Sequence, residues 1–461
     1  MRKFVILCIV VLASALVGGE AKAAVPAENS AGASFGRYIV VLRGGADAAK
    51  VAAGHGKAYG FTARFVYEHA LRGYAATLPH AAVAGITARP DVAFVSLDGE
   101  TQAHFPQFPG EDIPVQQISF GVDRIDGERS STRSGDGRGE VNVNVAVIDD
   151  GPIDADHPDL NVVASTSCLA GRDATSDPHM DPAGAHSTMV AGFIGARDNS
   201  FGRVGVAPAA RIYAVEVFDD RGFGVDSELI CGLDWVAATR RDADPSNDIV
   251  VANLSGAGKL PASAPRGGCT GARDARLAAV CGLADAGVVL VAAAGNESAD
   301  LKDSWPATYD DVVAATAIAD LDGQPGGLQP PTGECSSRLN TAGPVVDDAA
   351  AFFSNFATLA EDRIHTVAAP GVCIGSTYAG GLYAASSGTS FASPLVAGTV
   401  ALCIASGPCA GLTPRQIIQK IVADASAYNS TKKNSGYGFE GDPLRPISGK
   451  YYGYLVRAAL Y

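Results

Sequence analysis

From residue 141 to residue 405 short apolar runs alternate with longer stretches rich in small and apolar residues, and this limits the possible folds more than any other feature. The runs 141–149, 211–217, 249–254, 288–293, 312–318 and 365–368 read as strands covered on both faces. The stretches 186–196, 227–239, 272–286 and 390–405 have helical length and composition. Such alternation predicts an α/β chain, a three-layer sandwich with a mostly parallel central sheet. Hydrophobic residues at 47% against 18% charged are enough for a large core. A capped helix with a first-turn proline opens at Thr413-Pro414 and carries Gln416 at its third position. Segments 257–271 and 320–351 are rich in Gly and Pro and too long for ordinary connections, so they read as surface insertions.

The chain ahead of this region divides into short pieces. Residues 1–23 have the form of an export signal, with Arg2 and Lys3, an apolar core, and Ala21-Lys22-Ala23 as the cleavage site. A small-residue linker, 24–36, leads to a module at 37–99 whose pattern is β-α-β-β-α-β, an α+β ferredoxin-like arrangement. Residues 100–114, with Pro106, Pro109 and Pro114, lack periodicity and read as a processing linker before the large domain at 115–461. Residues 37–98 carry seven Lys/Arg against four Asp/Glu, whereas the whole chain is at −14, so the module could dock electrostatically on an acidic large domain. The negative balance argues against a nucleic-acid partner, and no other segment has the length and apolarity of a membrane span. Cys8 leaves with the signal; the other eight cysteines form an even set in an exported chain, which predicts disulfides among 105 pairings.

One serine, Ser390, lies in a Gly-Thr-Ser turn at the start of the apolar stretch 384–401, with Pro394 expected in the first helical turn. A hydroxyl at a helix start is surrounded by free N–H groups, which suits the negative charge that builds up when serine attacks a carbonyl. Such a serine needs a base, and the base needs an acid to orient it. Four of the eight histidines (His55, His69, His80 and His104) lie in or just after the small module. Of the others (His157, His179, His186 and His365), His186 opens a small, apolar helix and His157 reads as a structural turn residue. Asp149 closes an apolar strand at its carboxyl edge, where α/β sheets place their ligands. Asp150 competes for the role, but its side chain is expected on the opposite face of the strand. Asn296, after another buried strand, could join the Ser390 N–H as an oxyanion donor.

Taken together, Asp149-Asp150-Gly151, HSTM at 186–189, AAGNE around Asn296 and GTSFASP at 388–394 resemble the subtilisin-like serine proteases, the subtilases. The order acid, histidine, serine is that of subtilisin and differs from that of chymotrypsin or the α/β-hydrolases. DNSFGRVGVAPAARIYAVEVF, AFFSNFA and AAPGVCIGST also look like subtilase segments, so the resemblance spans about residues 115–460. It implies a secreted (or periplasmic) endopeptidase with catalytic Asp149, His186 and Ser390 and Asn296 as the oxyanion residue. The small module resembles the family's inhibitor propeptide, which implies autoprocessing between about Glu100 and Ile113.

By the same resemblance an extended substrate would lie between Gly222-Phe223-Gly224 and Ser255-Gly256-Ala257. A roomy apolar specificity pocket would be walled by residues 255–257 and 292–296, with residues 305–308 as its far rim. The implied partners are protein or peptide substrates and the chain's own propeptide, on a monomer with no membrane contact after signal removal. No cofactor is required; structural calcium fits the family, and the acidic loops 173–181 and Asp198-Asn199 are its candidate sites. Asp150 replaces a small hydroxyl residue, Ser187 a glycine, Met189 the family's second histidine and Ala257 a glycine beside the bound chain. Two other readings compete. An α/β-hydrolase esterase needs a G-x-S-x-G that Ser390 lacks; a non-catalytic peptide-binding domain would be marked by a replaced triad residue, and none is replaced.

Overall fold

The computed structural model describes residues 34–103, 110–169, 184–219, 221–327, 329–331, 334–431 and 436–461. The signal and most of the first linker therefore lie outside the described residues. Strand β1 (Phe35–Leu42) begins inside the span read as linker and opens the small module. Helix α1 (Ala48–Tyr59), strands β2 (Ala63–Tyr67) and β3 (Gly73–Pro79), helix α2 (His80–Thr87) and strand β4 (Val92–Leu97) follow. Its four strands form one antiparallel sheet in the order β2-β3-β1-β4, the arrangement that the β-α-β-β-α-β pattern predicts. Asp47 caps α1 by accepting from Lys50 N, and Gly60 ends it in the left-handed region at φ 77°.

The large domain is built on a nine-stranded sheet. Its central strands are β6 (Asn144–Asp150), β8 (Arg211–Phe218), β10 (Ile249–Leu254), β12 (Val289–Ala293), β14 (Val312–Ala319) and β15 (Thr366–Val372). With β7 (Val162–Ser167) and β18 (Tyr454–Leu455) at its ends, the path runs β18-β15-β14-β12-β10-β6-β8-β7, and every pair along it is parallel. Ala349–Ala350 adds one antiparallel strand beside β14, while β13 (Ser304–Trp305), β16 (Ile374–Tyr378) and β17 (Leu382–Ser386) pair outside this sheet. Helices α3 (Ala185–Gly195) and α6 (Thr389–Ala405) cover one face, and α4 (Asp226–Thr239) and α5 (Ala275–Asp285) the other, each over its own apolar core. All eleven residues of α3 are buried, which is why its sequence carries no polar stripe. Helix α7 (Pro414–Asn429) opens with the expected Thr413–Gln416 capping box. Among the described residues no helix is long and apolar enough to cross a membrane.

Three expectations need correction. Helix α6 begins at Thr389, so Pro394 falls in its second turn. Proline has no N–H for the carbonyl four residues back; that carbonyl, Ser390 O, instead accepts from Ser255 Oγ at 2.8 Å. The insertion at 257–271 opens with a strand, β11 (Ala257–Lys259), that belongs to the site described below. The insertion at 320–351 is not confined to the surface, because Asp320 and Asp348 are buried in ion pairs with Arg124 and Asp347 is buried beside Asp320. The eight cysteines pair as Cys168–Cys231, Cys269–Cys281, Cys335–Cys373 and Cys403–Cys409.

The small module lies on α4 and α5. The expected charge complementarity is present in the Arg64–Glu228 ion pair, and several further contacts are between carboxylates and backbone. Asp234 accepts from the N–H groups of Glu68, His69 and Ala70 at 3.1, 2.7 and 2.5 Å. Asp226 accepts from Gly99 N, and Asp98 of the module accepts from both Ser227 N and Ser227 Oγ.

Candidate active site

Strand β6 ends in two carboxylates, and both reach the first turn of α3. Asp149 Oδ1 lies 2.6 Å from His186 Nδ1 and also accepts from Asp150 N. Asp150 Oδ1 accepts from Ser187 N at 3.1 Å. Asp150 is therefore not turned to the opposite face as strand alternation predicts. The pairing of β6 with β8 shifts register between Glu216 and Phe218, and alternation lapses at that irregular end. His186 is the second residue of α3, after an N-cap, Gly184, that has no side chain to offer. Burial works against a charged ring here; the charge and hydrogen bond of Asp149, with Asp150 added, outweigh it and raise the His186 pKa above its ordinary value.

The imidazole packs on the residue after the serine, its centroid 5.2 Å from the Phe391 ring. Ser390 is the second residue of α6 and is buried, its Oγ donating to Ser255 O at 3.1 Å. Asn296 Oδ1 accepts from both Thr389 N and Thr389 Oγ1 at 2.9 Å, which fixes how the amide is turned. A Cβ built on Gly388 would lie 3.6 Å from both Asn296 Nδ2 and Ser390 N. The missing side chain thus leaves open a small space bordered by both nitrogens, where an oxyanion would be held. Asn296, Thr389 and Ser390 border a cleft of about 820 Å³, whose lining also includes Ser255, Gly256, Ala293 and Gly295.

The segment from Glu100 to Ala103 forms one wall of that cleft. Glu100–Gln102, read above as linker, forms strand β5 between β9 (Phe223–Val225) and β11. Phe223 pairs with Gln102 and Gly224 with Thr101, while Ala257 and Gly258 pair with the same two residues from the other side. Ala103 N donates to Gly222 O at 2.8 Å. So Gly222, Phe223, Gly224 and Ala257 flank an extended segment, whereas Ser255 contacts the Ser390 turn. Gly256 packs against the Phe218 ring, which a Cβ would meet at 2.4 Å. Sequence reasoning missed Gly258, whose Cβ would come within 2.1 Å of Trp305 Nε1, and Thr389, which holds Asn296. It missed β5 as well, because Glu-Thr-Gln has no strand periodicity and is held through its backbone. Trp305 is fully buried beside β11, and none of residues 305–308, expected as the far rim of the pocket, lines the cleft.

The other histidines fit elsewhere. His157 bonds Leu382 O and Asp159 N, the structural role expected of it. His365 is buried, and desolvation lowers its pKa to about 4, which keeps the ring neutral. His104, His179 and the acidic loop 173–181 lie outside the described residues. The other calcium candidate is already satisfied: Asp198 accepts from Gln116 Nε2 and from Gly137, Arg138 and Gly139 N. Asp320, Asp322 and Asp347 bring carboxylate oxygens within 4.8 Å of one another, yet Arg124 is ion-paired with Asp320 and backbone N–H groups bind all three. These residues do not fit a cation cage.

Comparison with known proteins follows the same lines. Residues 140–439 match a profile described as the subtilase family. The chain is 33% identical to subtilisin E of Bacillus subtilis over 337 residues, 72% of this chain and 71% of that protein. It is also 33% identical to a subtilisin of Bacillus pumilus, over 64% of this chain and 87% of the relative. Subtilisin BL of Lederbergia lenta is 32% identical over 288 residues, 62% of this chain and 84% of the relative.

Proposed function

The chain belongs to the subtilase family of serine endopeptidases, and from that premise we propose that it is secreted as a precursor that cuts itself, with Asp149, His186 and Ser390 as its triad. His186 takes the Ser390 proton as Oγ attacks the substrate carbonyl, and Asp149 orients the imidazolium that forms. Asn296 Nδ2 and Ser390 N hold the oxyanion. His186 then returns its proton to the leaving amine, the acyl-enzyme forms, and water releases it. This chemistry draws on these residues and water and needs no cofactor.

The observation that carries the reading is strand β5. Glu100–Gln102 is bonded on both edges in the manner of an extended substrate, and Ala103 and Ser390 line the same cleft. The chain would then enter the active site from its own small module, which acts as inhibitor until it is released. The bond cut lies beyond Ala103 and before Ile113. Expression of wild type beside Ser390→Ala, read by mass and N-terminal sequencing, tests this. Wild type is expected to lose everything up to that bond while Ser390→Ala keeps it; identical cutting of both would mean that another protease does the processing.

A further inference from the structure

Asp150 has no part in the chemistry above, although it sits beside it. Its side chain is buried, and its Oδ1 accepts the N–H of Ser187, the third residue of α3. The first N–H groups of a helix need acceptors from outside it, and Gly184 supplies none. Two successive residues of β6 therefore hold two successive residues of α3: Asp149 the imidazole of His186, and Asp150 the backbone next to it. A carboxylate at a helix N-terminus is also favoured by the helix dipole. Both carboxylates bear on His186 through their charge, and Phe391, against its ring from α6, does not titrate.

We propose that Asp150 is a positioning residue that fixes the start of α3 against the strand carrying Asp149 and, through its charge, moves the enzyme's working pH range upward. The inference rests on the reading of His186 as general base. That base works only when neutral, and a nearby negative charge favours the protonated ring. Burial raises the Asp150 pKa to about 6, with the charge of His186 opposing the rise and that of Asp149 adding to it. Above that pH Asp150 is anionic and holds the His186 pKa up; the acid limb of activity follows the His186 pKa.

The test is the pH profile of kcat/KM for wild type, Asp150→Asn and Asp150→Ala. Asn keeps an acceptor for Ser187 N and removes the charge, so its acid limb should move down by roughly half a pH unit or more. Ala removes both, so its limb should move likewise while kcat falls further than in Asn and KM changes little. An unmoved or raised limb in Asp150→Asn would overturn the proposal. Should these variants fail to mature, the His186 imidazole can be titrated by NMR in full-length Ser390→Ala with and without Asp150→Asn. An unchanged titration there overturns the proposal equally. If Ser390→Ala retained peptidase activity, the triad reading itself would fail, which is a separate outcome.

Discussion

Asn296 is tied down through its oxygen and acts, in the proposed mechanism, through its nitrogen. Thr389 supplies both bonds to that oxygen, and its hydroxyl also accepts from Gly295 N, so one threonine ties the asparagine strand to the serine helix. Removing the amide should leave substrate binding alone and cost transition-state stabilisation. Asn296→Ala is therefore expected to lower kcat roughly a hundred- to a thousandfold with KM within a few-fold of wild type. Thr389→Val keeps the Asn296 donor but loosens it, and should cost less, on the order of tenfold in kcat. Steady-state kinetics on a peptide substrate separate the two; a loss confined to KM would remove Asn296 from the oxyanion role. At this scale the sequence was informative wherever residue type and spacing carry chemistry. Asp149, His186, Ser390 and Asn296 are brought to one place. Asp150 was misread because period-two alternation holds inside a regular strand and fails at an irregular end.

Among the elements, the three-stranded core of the cleft depends on residues that have almost no side chain. Gly224 and Gly258 face Thr101 from opposite sides, and a Cβ on Gly258 would come within 2.9 Å of Thr101 Cγ2 as well as 2.1 Å of the Trp305 indole. Trp305 is fully buried and cannot easily give way. Gly258→Val should therefore push β11 off strand β5, raising KM for extended peptides at least tenfold and slowing self-cleavage. Cleavage of a long and a short peptide compares the two cases: the long one, which needs the strand pairing, should lose most. Equal losses on both would place the damage at the chemistry instead. The alternating pattern made the strands and helices of the large sheet legible, since burial writes itself into residue type. Strand β5 stayed hidden because backbone hydrogen bonds hold it, and those are indifferent to Glu, Thr and Gln. Helix α6 was displaced by one residue for a related reason: Pro394 is tolerated in its second turn because Ser255 takes over the carbonyl that proline leaves unpaired.

At the scale of the whole molecule, the small module and the large domain meet through contacts that the proposed processing must later release. The module's backbone N–H groups are received by Asp234 and Asp226 and its Tyr67 hydroxyl by Ser227 O, and its chain comes so close to α5 that a Cβ on Gly282 would lie 1.6 Å from Ala70 O. Gly282 occupies the interior of that helix, where glycine costs up to about 1 kcal/mol relative to alanine. Gly282→Ala should thus act in opposite directions on the two halves. It stabilises α5 and with it the processed large domain, yet it drives the module away from its seat. After processing, the module is expected to separate from the large domain on size-exclusion chromatography under conditions where the wild-type pair co-elutes, and the lag before full activity should shorten. Thermal unfolding of the processed large domain, at an equal or higher midpoint, checks that the substitution has not simply damaged the fold. A module that still co-elutes, on a domain of unchanged stability, would mean that the close approach at Gly282 contributes nothing to docking and that the carboxylates of α4 hold the module by themselves.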